Sequence, residues 1–331
     1  MKNYILNLKV KTVSPLAIIE NSDSDARSGV ITYIKKTGIL TDTDEGKKVV
    51  NVPYIPANGI RGSLRRLATK KLVEHVKQNT KATEIKDTDI HAMLSGSGVT
   101  SQPTTYEEEL EIREKNPLLS VFGSGLVLSG KMYVADGLPE EEFYKGLIRK
   151  ETYVKVDDIL AKTKYSNLFT KEQIAEWELS VGENSEARAE DRKLQKMAKE
   201  LGEKIEKEKT KKTSIQHYAQ REYIVTNSEF FSSIKLENVT ELELGMFLHA
   251  LESYVEYGRM GSTNATGFGI VDLFIADETK NLSLSRIAND DYVFNAKVDL
   301  VFTGEFKKAY DAYSNFLSKV TLDNVELLSK I

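Results

Sequence analysis

The stretch that decides the fold reads Ile55-Pro56-Ala57-Asn58-Gly59-Ile60-Arg61-Gly62-Ser63-Leu64-Arg65-Arg66. Residues 49–55 ahead of it form an apolar, strand-like run. Pro56 to Gly59 interrupts that run, and the apolar period then changes. Ile60, Leu64, Leu67, Leu72 and Val76 recur at roughly helical spacing. A strand therefore passes through a glycine-bearing turn into a helix that carries arginines from its first turn.

Glycines at 59 and 62 let a ligand backbone come close, and free amides at a helix start attract anions. Arg61 and Arg65 are four residues apart and share one helix face, with Arg66 beside them and Lys70 and Lys71 extending the basic side. Together with Asn58 and Ser63 they make a candidate cradle for a phosphate backbone. A solvated basic helix face accounts for the same residues equally well, and on residues alone both readings stay open.

Upstream, residues 6–11 alternate apolar and polar side chains, which predicts a half-buried strand ended by Pro15. The run is too short and too polar for a signal peptide or a membrane span. Residues 21–29 are polar and short-sided and read as a loop, followed by a strand at 30–34. Downstream, residues 81–116 read as an exposed excursion with one short helix. Residues 117–123, Pro-Leu-Leu-Ser-Val-Phe-Gly, read as packing beneath the first helix, and residues 126–135 as a strand ending at Asp136. A Lys/Glu-rich segment from 158 to 213 carries an amphipathic helix on Leu194, Met197, Ala198, Leu201 and Ile205. Strands follow at 221–225 and 230–236, and Leu244, Phe247, Leu248, Leu251 and Val255 line one side of a helix over 240–257. A strand at 268–275, another near 292–302 and a helix over 305–320 complete the chain. Two loose copies of strand, helix, strand suggest an α+β, ferredoxin-like sheet with helices on one face.

A second glycine-rich stretch, Gly258-Arg259-Met260-Gly261-Ser262-Thr263-Asn264-Ala265-Thr266-Gly267-Phe268-Gly269, follows a helix and precedes a strand. Dinucleotide and P-loop folds use the opposite order, so both are disfavoured. A helix cap with a tight turn explains part of it. Four glycines exceed that need, and close approach of a polymer backbone would explain the surplus.

Composition narrows the classes. The 331 residues contain no cysteine, which removes disulfides, thiolate zinc sites and cysteine nucleophiles. Four scattered histidines (His75, His91, His217, His249) make a histidine metal centre improbable, and no Ser-His-Asp arrangement has support. A net charge of -4 argues against a polycation but leaves room for a local basic groove. A cytoplasmic address is expected, with no metal and no cofactor.

Taken in order, these motifs resemble the RAMP superfamily, in particular the backbone subunits of class 1 CRISPR effector complexes. The resemblance rests on the opening strand, Ile-Pro-x-x-x-Ile-Arg-Gly-x-Leu-Arg from Ile55, and Leu-Leu-Ser-Val-Phe-Gly from Leu118. It rests also on Lys131-Met132-Tyr133-Val134-Ala135-Asp136, and on the late helix with its Gly-rich turn and Gly-Phe-Gly strand. It covers residues 3–275 in pieces; each motif alone is weak, and the specificity lies in their order and spacing.

The resemblance implies a modified ferredoxin-like, RNA-recognition-motif core over residues 1–160 and 213–331, with a thumb hairpin and a helical insertion at 161–212. It implies subunits assembled head to tail along a guide RNA, with other CRISPR effector subunits and target DNA or RNA as further partners, and no membrane. By position the thumb falls at 151–158 and 214–221, making Thr152, Tyr153, Lys155, Gln216, His217, Tyr218 and Arg221 candidate RNA contacts. Asn58, Arg61, Ser63, Arg65, Arg66 and Lys70 join them at the first helix. Arg259, Gly261, Ser262 and Thr263 do so at the Gly loop. Members that cut RNA resemble one another in an Asp after the first strand. This chain reads Val30-Ile31-Thr32-Tyr33-Ile34 there, with Asp23 and Asp25 a few residues earlier. The expectation is therefore a non-cleaving subunit, with the Arg-Gly-Ser-Leu-Arg-Arg spelling leaning to type IV. Two rivals remain: a metal-dependent RNase using Asp23 or Asp25, and a protein-only scaffold docking through its Lys/Glu insertion.

Overall fold

The alternation at the N-terminus produces the central strand of a six-stranded antiparallel sheet. That strand buries Leu6, Leu8, Val10 and Thr12, while Ile5, Asn7, Lys9 and Lys11 alternate with them on the opposite face. The computed structural model of the chain describes residues 1–25, 29–43, 46–80, 85–96, 105–125, 128–144, 146–156, 216–262, 264–289 and 292–325.

In chain order the elements are β1 (Lys2–Thr12), β2 (Ile19–Asp25), β3 (Gly29–Ile34), β4 (Lys36–Thr43), β5 (Gly46–Pro53), α1 (Ala57–Thr80), α2 (Asp87–Ser95), α3 (Tyr106–Lys115) and α4 (Pro117–Phe122). Then come β6 (Met132–Val134), β7 (Ile148–Val156), β8 (Gln216–Ile224), β9 (Glu229–Val239), α5 (Glu241–Tyr257), β10 (Val271–Asp277), β11 (Leu282–Asn289), β12 (Tyr292–Phe302) and α6 (Gly304–Leu317). They fall into two units: residues 1–18, 35–148 and 224–331, and residues 19–34 and 149–223.

The first unit holds the large sheet, in the order β12-β11-β10-β1-β9-β6. Four adjacent strands, β10-β1-β9-β6, make the ferredoxin-like pattern. β1 leads through α1 to β6, β9 leads through α5 to β10, and the spatial order is fourth, first, third, second. The α+β expectation therefore holds, with β11 and β12 extending the sheet beyond β10. Helices cover one face. α1 buries Ile60, Leu64, Ala68, Leu72 and Val76. α5 starts at a Thr240–Glu243 capping box and ends at Gly258 in the left-handed conformation. α6 packs Phe306, Ala309, Tyr313 and Leu317 inward. At Gly245 a Cβ would overlap the Ala309 carbonyl oxygen, so this glycine sets how closely α5 and α6 approach. Among the described residues no helix is long and apolar enough to cross a membrane.

A buried polar group ties three helices together. His249 of α5 stacks on Tyr310 of α6, ring centroids 4.0 Å apart, and its Nε2 lies 3.0 Å from the Ser314 hydroxyl. Glu252 accepts from Lys71 of α1 at 2.9 Å and from the Tyr310 hydroxyl at 2.7 Å. Burial first, and then the Lys71 ammonium, push the His249 pKa down to about 4; Glu252 and the Tyr310 carbonyl oppose this without reversing it, and His75 adds slightly to the depression. A depressed histidine is neutral in the fold and takes a proton more readily when unfolded. Stability is then full above the ordinary histidine pKa and falls as pH drops toward the folded value. The expected loss from this group is about 2 kcal/mol between about pH 7.5 and pH 5. Urea denaturation across that window tests it, and His249→Leu should flatten the slope.

The second unit is a four-stranded sheet, β2-β3-β8-β7. β2 and β3 pair antiparallel, and β3 pairs parallel with β8. Residues 21–29 thus correct the loop expectation. Most of that stretch is β2, formed by backbone pairing with β3 (Ser22 opposite Thr32, Asp23 opposite Ile31) rather than by an apolar period. Glu222 is buried and accepts from the Ile34 backbone N–H at 3.4 Å, with Lys150 at 3.5 Å. The 161–212 insertion lies outside the described residues.

The 81–116 excursion also needs correcting. It contains two helices rather than one, and Ala92, Met93 and Ile112 join the core while the outer faces stay in solvent. The sparse apolar residues on each short helix are too few for a readable period.

Candidate nucleic-acid interface

α1 begins where the chain leaves the bridge between Ile55 and Gly137. Its first turn is capped from outside: the Ala57 N–H donates to Asp136 Oδ1 at 2.7 Å. A carboxylate already occupies this helix start, so the anion site expected of the free amides is partly filled. This gives the strand-ending Asp136 a structural task.

The arginines stand one turn further on. Arg61 donates to the Phe122 carbonyl and Arg65 to the Gly123 carbonyl, both at the C-terminal end of α4. Arg65 is 7% exposed and lies over the Phe122 ring, 5.6 Å from its centroid. Gly96, which ends α2, packs so tightly on its guanidinium that a side chain there would overlap it. Among the described residues neither arginine has a carboxylate partner. Burial, followed by repulsion from Arg61, pushes the Arg65 pKa down to about 10. The Nε atoms of both arginines, and the hydroxyl of the neighbouring Ser124, are buried without hydrogen-bond partners. Two like charges therefore lie side by side, one of them dehydrated, with no carboxylate among the described residues to balance them. Such an arrangement is costly and marks functional sites more often than structural ones.

The rest of the α1 set lies outward. Asn58, Arg66 and Lys70 are exposed. Arg66 donates to Ser63 Oγ at 3.2 Å, and Lys70 stands 3.9 Å from Glu74. The solvated-face reading thus describes Arg66 and Lys70 but fails for Arg65, which the helix turns inward. Residues 118–123 do pack beneath α1 as expected, and their last two carbonyls also hold the arginines. Sequence reading missed Ser124 here; its only signal is its place directly after Phe-Gly.

The glycine-rich loop is explained differently from the expectation. Its amides and carbonyls close on the chain itself: Met260 N–H to Gly269 O at 2.8 Å, Gly269 N–H to Pro15 O at 2.8 Å, and Ser262 N–H to Ala17 O at 2.8 Å. The Ser262 hydroxyl also donates to Ala17 O at 3.0 Å. A Cβ on Gly261 would overlap the Ala17 carbonyl, and one on Gly269 the Met260 carbonyl, both at positive φ. Gly261 thus serves packing against residues 16–17 and Gly269 the closure of the loop on Met260, while at Gly267 a Cβ would meet nothing. Arg259 is half-buried beside its bridge to Ile270, Gly261 is exposed, and Thr263 lies outside the described residues.

In the second unit, Thr152 is exposed on β7. Arg221 of β8 is half-buried and ion-paired with Glu151, which makes it a strand-to-strand tie rather than a free cation. Tyr153 and Lys155 fall on β7 and Gln216, His217 and Tyr218 on β8, two strands that neighbour each other in the sheet.

A solved structure titled Type IV-B CRISPR Complex aligns at a TM-score of 0.49 and 16% identity, covering 82% of this chain and 90% of that one. No curated protein matches the sequence. The family model of the RAMP superfamily matches residues 9–272, which takes in the end of β1, α1 with the arginine pair, and the Gly loop. The chain belongs to the RAMP superfamily.

Proposed function

We propose that this chain is a guide-RNA-holding backbone subunit of a class 1 CRISPR effector complex, repeated head to tail along the guide and without nuclease activity. One observation carries the RNA part: Arg61 and Arg65 present a double positive charge that no described carboxylate neutralises. A phosphate at Arg61 would supply the missing anion, and Arg66 and Lys70 extend positive charge along the same helix. Membership of the RAMP superfamily supports a guide, other effector subunits and a target strand as partners; the Arg-Gly-Ser-Leu-Arg-Arg spelling leans to a type IV complex. Asp23 and Asp25, the acids nearest the position used by cleaving relatives, fall within the paired strand β2 rather than in a loop, which favours holding over cutting.

The protein purified from cells carrying a CRISPR array should retain small RNA and form RNA-dependent oligomers whose affinity falls steeply with salt. A monomer that ignores added guide at low salt would refute the reading. Guided target RNA with magnesium should stay intact; cleavage lost in Asp23→Asn/Asp25→Asn would show a nuclease instead.

A further inference from the structure

Two exposed surfaces of the first unit look unlike the phosphate site. One is the outer face of the large sheet. Ile5, Tyr133, Phe231, Ile287 and Val301 stand on it between 38% and 54% exposed. Phe231 and Phe274 flank Lys9 in one cross-strand row. The charges of this face cancel locally: Lys9 with Glu229 at 2.8 Å, Lys235 with Glu237 at 2.5 Å, Lys297 with Asp299 at 2.9 Å. A phosphate chain stacking its bases on Tyr133, Phe231 or Phe274 would have to displace a carboxylate at Lys9, Lys235 and Lys297. An apolar surface with paired charges suits a protein.

The other surface is the β4–β5 ribbon. Among the described residues it pairs with no third strand, and a two-stranded ribbon is marginal in water by itself. On one of its faces Leu40 lies opposite Val49, 61% and 68% exposed, beside the opposite charges of Asp42 and Lys47. Head-to-tail assembly requires two different surfaces on every chain, mated in the same way at each junction. The dimensions agree: an eight-residue strand is about 26 Å long, and six strands span about 24 Å.

We propose that the β4–β5 ribbon of one copy lies across the outer sheet face of the next, seating Leu40 and Val49 over the exposed Ile5 and Phe231 side chains. Asp42 and Lys47 then meet the paired charges around it. This contact rests on the reading of the chain as a repeated guide-holding subunit.

The absence of cysteine makes the test clean. Leu40→Cys and Asn7→Cys, the latter on an exposed position in the middle of the sheet face, are made in separate chains and mixed with guide RNA. A short bis-maleimide is then added. One thiol per chain excludes intrachain products, so the expected species is the mixed Leu40-to-Asn7 dimer, several-fold above either homotypic product. Leu40→Asp/Val49→Asp, at two exposed positions, should leave the monomer folded but reduce RNA-bound particles to isolated copies. Predominant Leu40–Leu40 product, or full-sized particles from the Asp variant, would overturn the contact and leave guide binding standing. A wild type that ignores guide RNA would overturn the underlying reading, and the contact with it.

Discussion

Lys131→Met is expected to destabilise the first unit by about 3–5 kcal/mol, the cost of stranding a buried charge. Lys131 lies just before β6, and its ammonium sits 2.7 and 2.8 Å from the two carboxylate oxygens of Glu243, which is 2% exposed. Glu243 also closes the α5 capping box through the Thr240 N–H, and it accepts from the Ser120 hydroxyl. Arg113 of α3 donates to the same Ser120 at 3.0 Å, so the group joins α3, α4, α5 and the approach to β6.

Burial by itself would raise the Glu243 pKa; the hydrogen bonds from Lys131, Ser120 and Thr240 outweigh it and hold the carboxyl below its ordinary value. In the wild type this carboxyl therefore contributes stability above the unfolded pKa, lost as pH falls through the folded one. Without Lys131 the burial effect dominates and the sign reverses: the variant should lose stability as pH rises through the carboxylate range. Denaturant titrations near pH 4.5 and pH 7 decide it. Lys131→Met/Glu243→Gln should recover most of the loss, because an amide still serves the capping box. Lys307→Met, which breaks the exposed pair with Asp311, should change stability by less than about 1 kcal/mol. A Lys131→Met protein as stable as that control would remove the buried pair from the account of the fold.

Much of this architecture is legible in the sequence where local chemistry is strong. Thr240-x-x-Glu243 and Gly258 mark both ends of α5, and the alternation from Leu6 to Lys11 marks β1. The period from Ile60 to Val76 marks α1. What escapes is whatever depends on partners far along the chain. The spacing of Arg61 and Arg65 puts them on one face, but nothing local says that Arg65 points inward; α2 and α4, which enclose it, come later. The glycines at 261 and 269 look like a polymer cradle until residues 15–17, some 245 positions earlier, are found against them. β2 escapes because Asn-Ser-Asp-Ser-Asp has no apolar alternation, and its strand form comes from the register with β3. The ferredoxin-like order is visible only once β6, a strand of three residues, is seen paired with β9.

The arginine pair separates stability from function, and two variants should show it. Holding Arg65 charged in its buried position costs about 3 kcal/mol, from a pKa pushed down to about 10. Against this stand one charge-assisted hydrogen bond to Gly123, worth about 1.5–3 kcal/mol, and the contact with Phe122, worth about 1–2. These nearly cancel, so Arg65→Met should leave folding stability within about 1 kcal/mol of wild type. Arg61→Met, at a half-buried position, should be similarly mild. Guide affinity should behave otherwise: each variant loses about tenfold or more, and Arg61→Met also lowers the slope of log affinity against log salt by about one, as expected for one lost phosphate contact. Free phosphate or sulfate should raise the thermal midpoint of the wild type above that in chloride at equal ionic strength, and should do so less in Arg61→Met, because binding to the folded state alone stabilises it. The opposite pattern, Arg65→Met unfolding by several kcal/mol with RNA affinity per folded molecule unchanged, would make the pair a clamp on the Phe122–Gly123 turn and nothing more. The two patterns differ because an unneutralised buried cation costs the fold stability and serves only when an anion arrives, whereas a clamp serves the fold at all times.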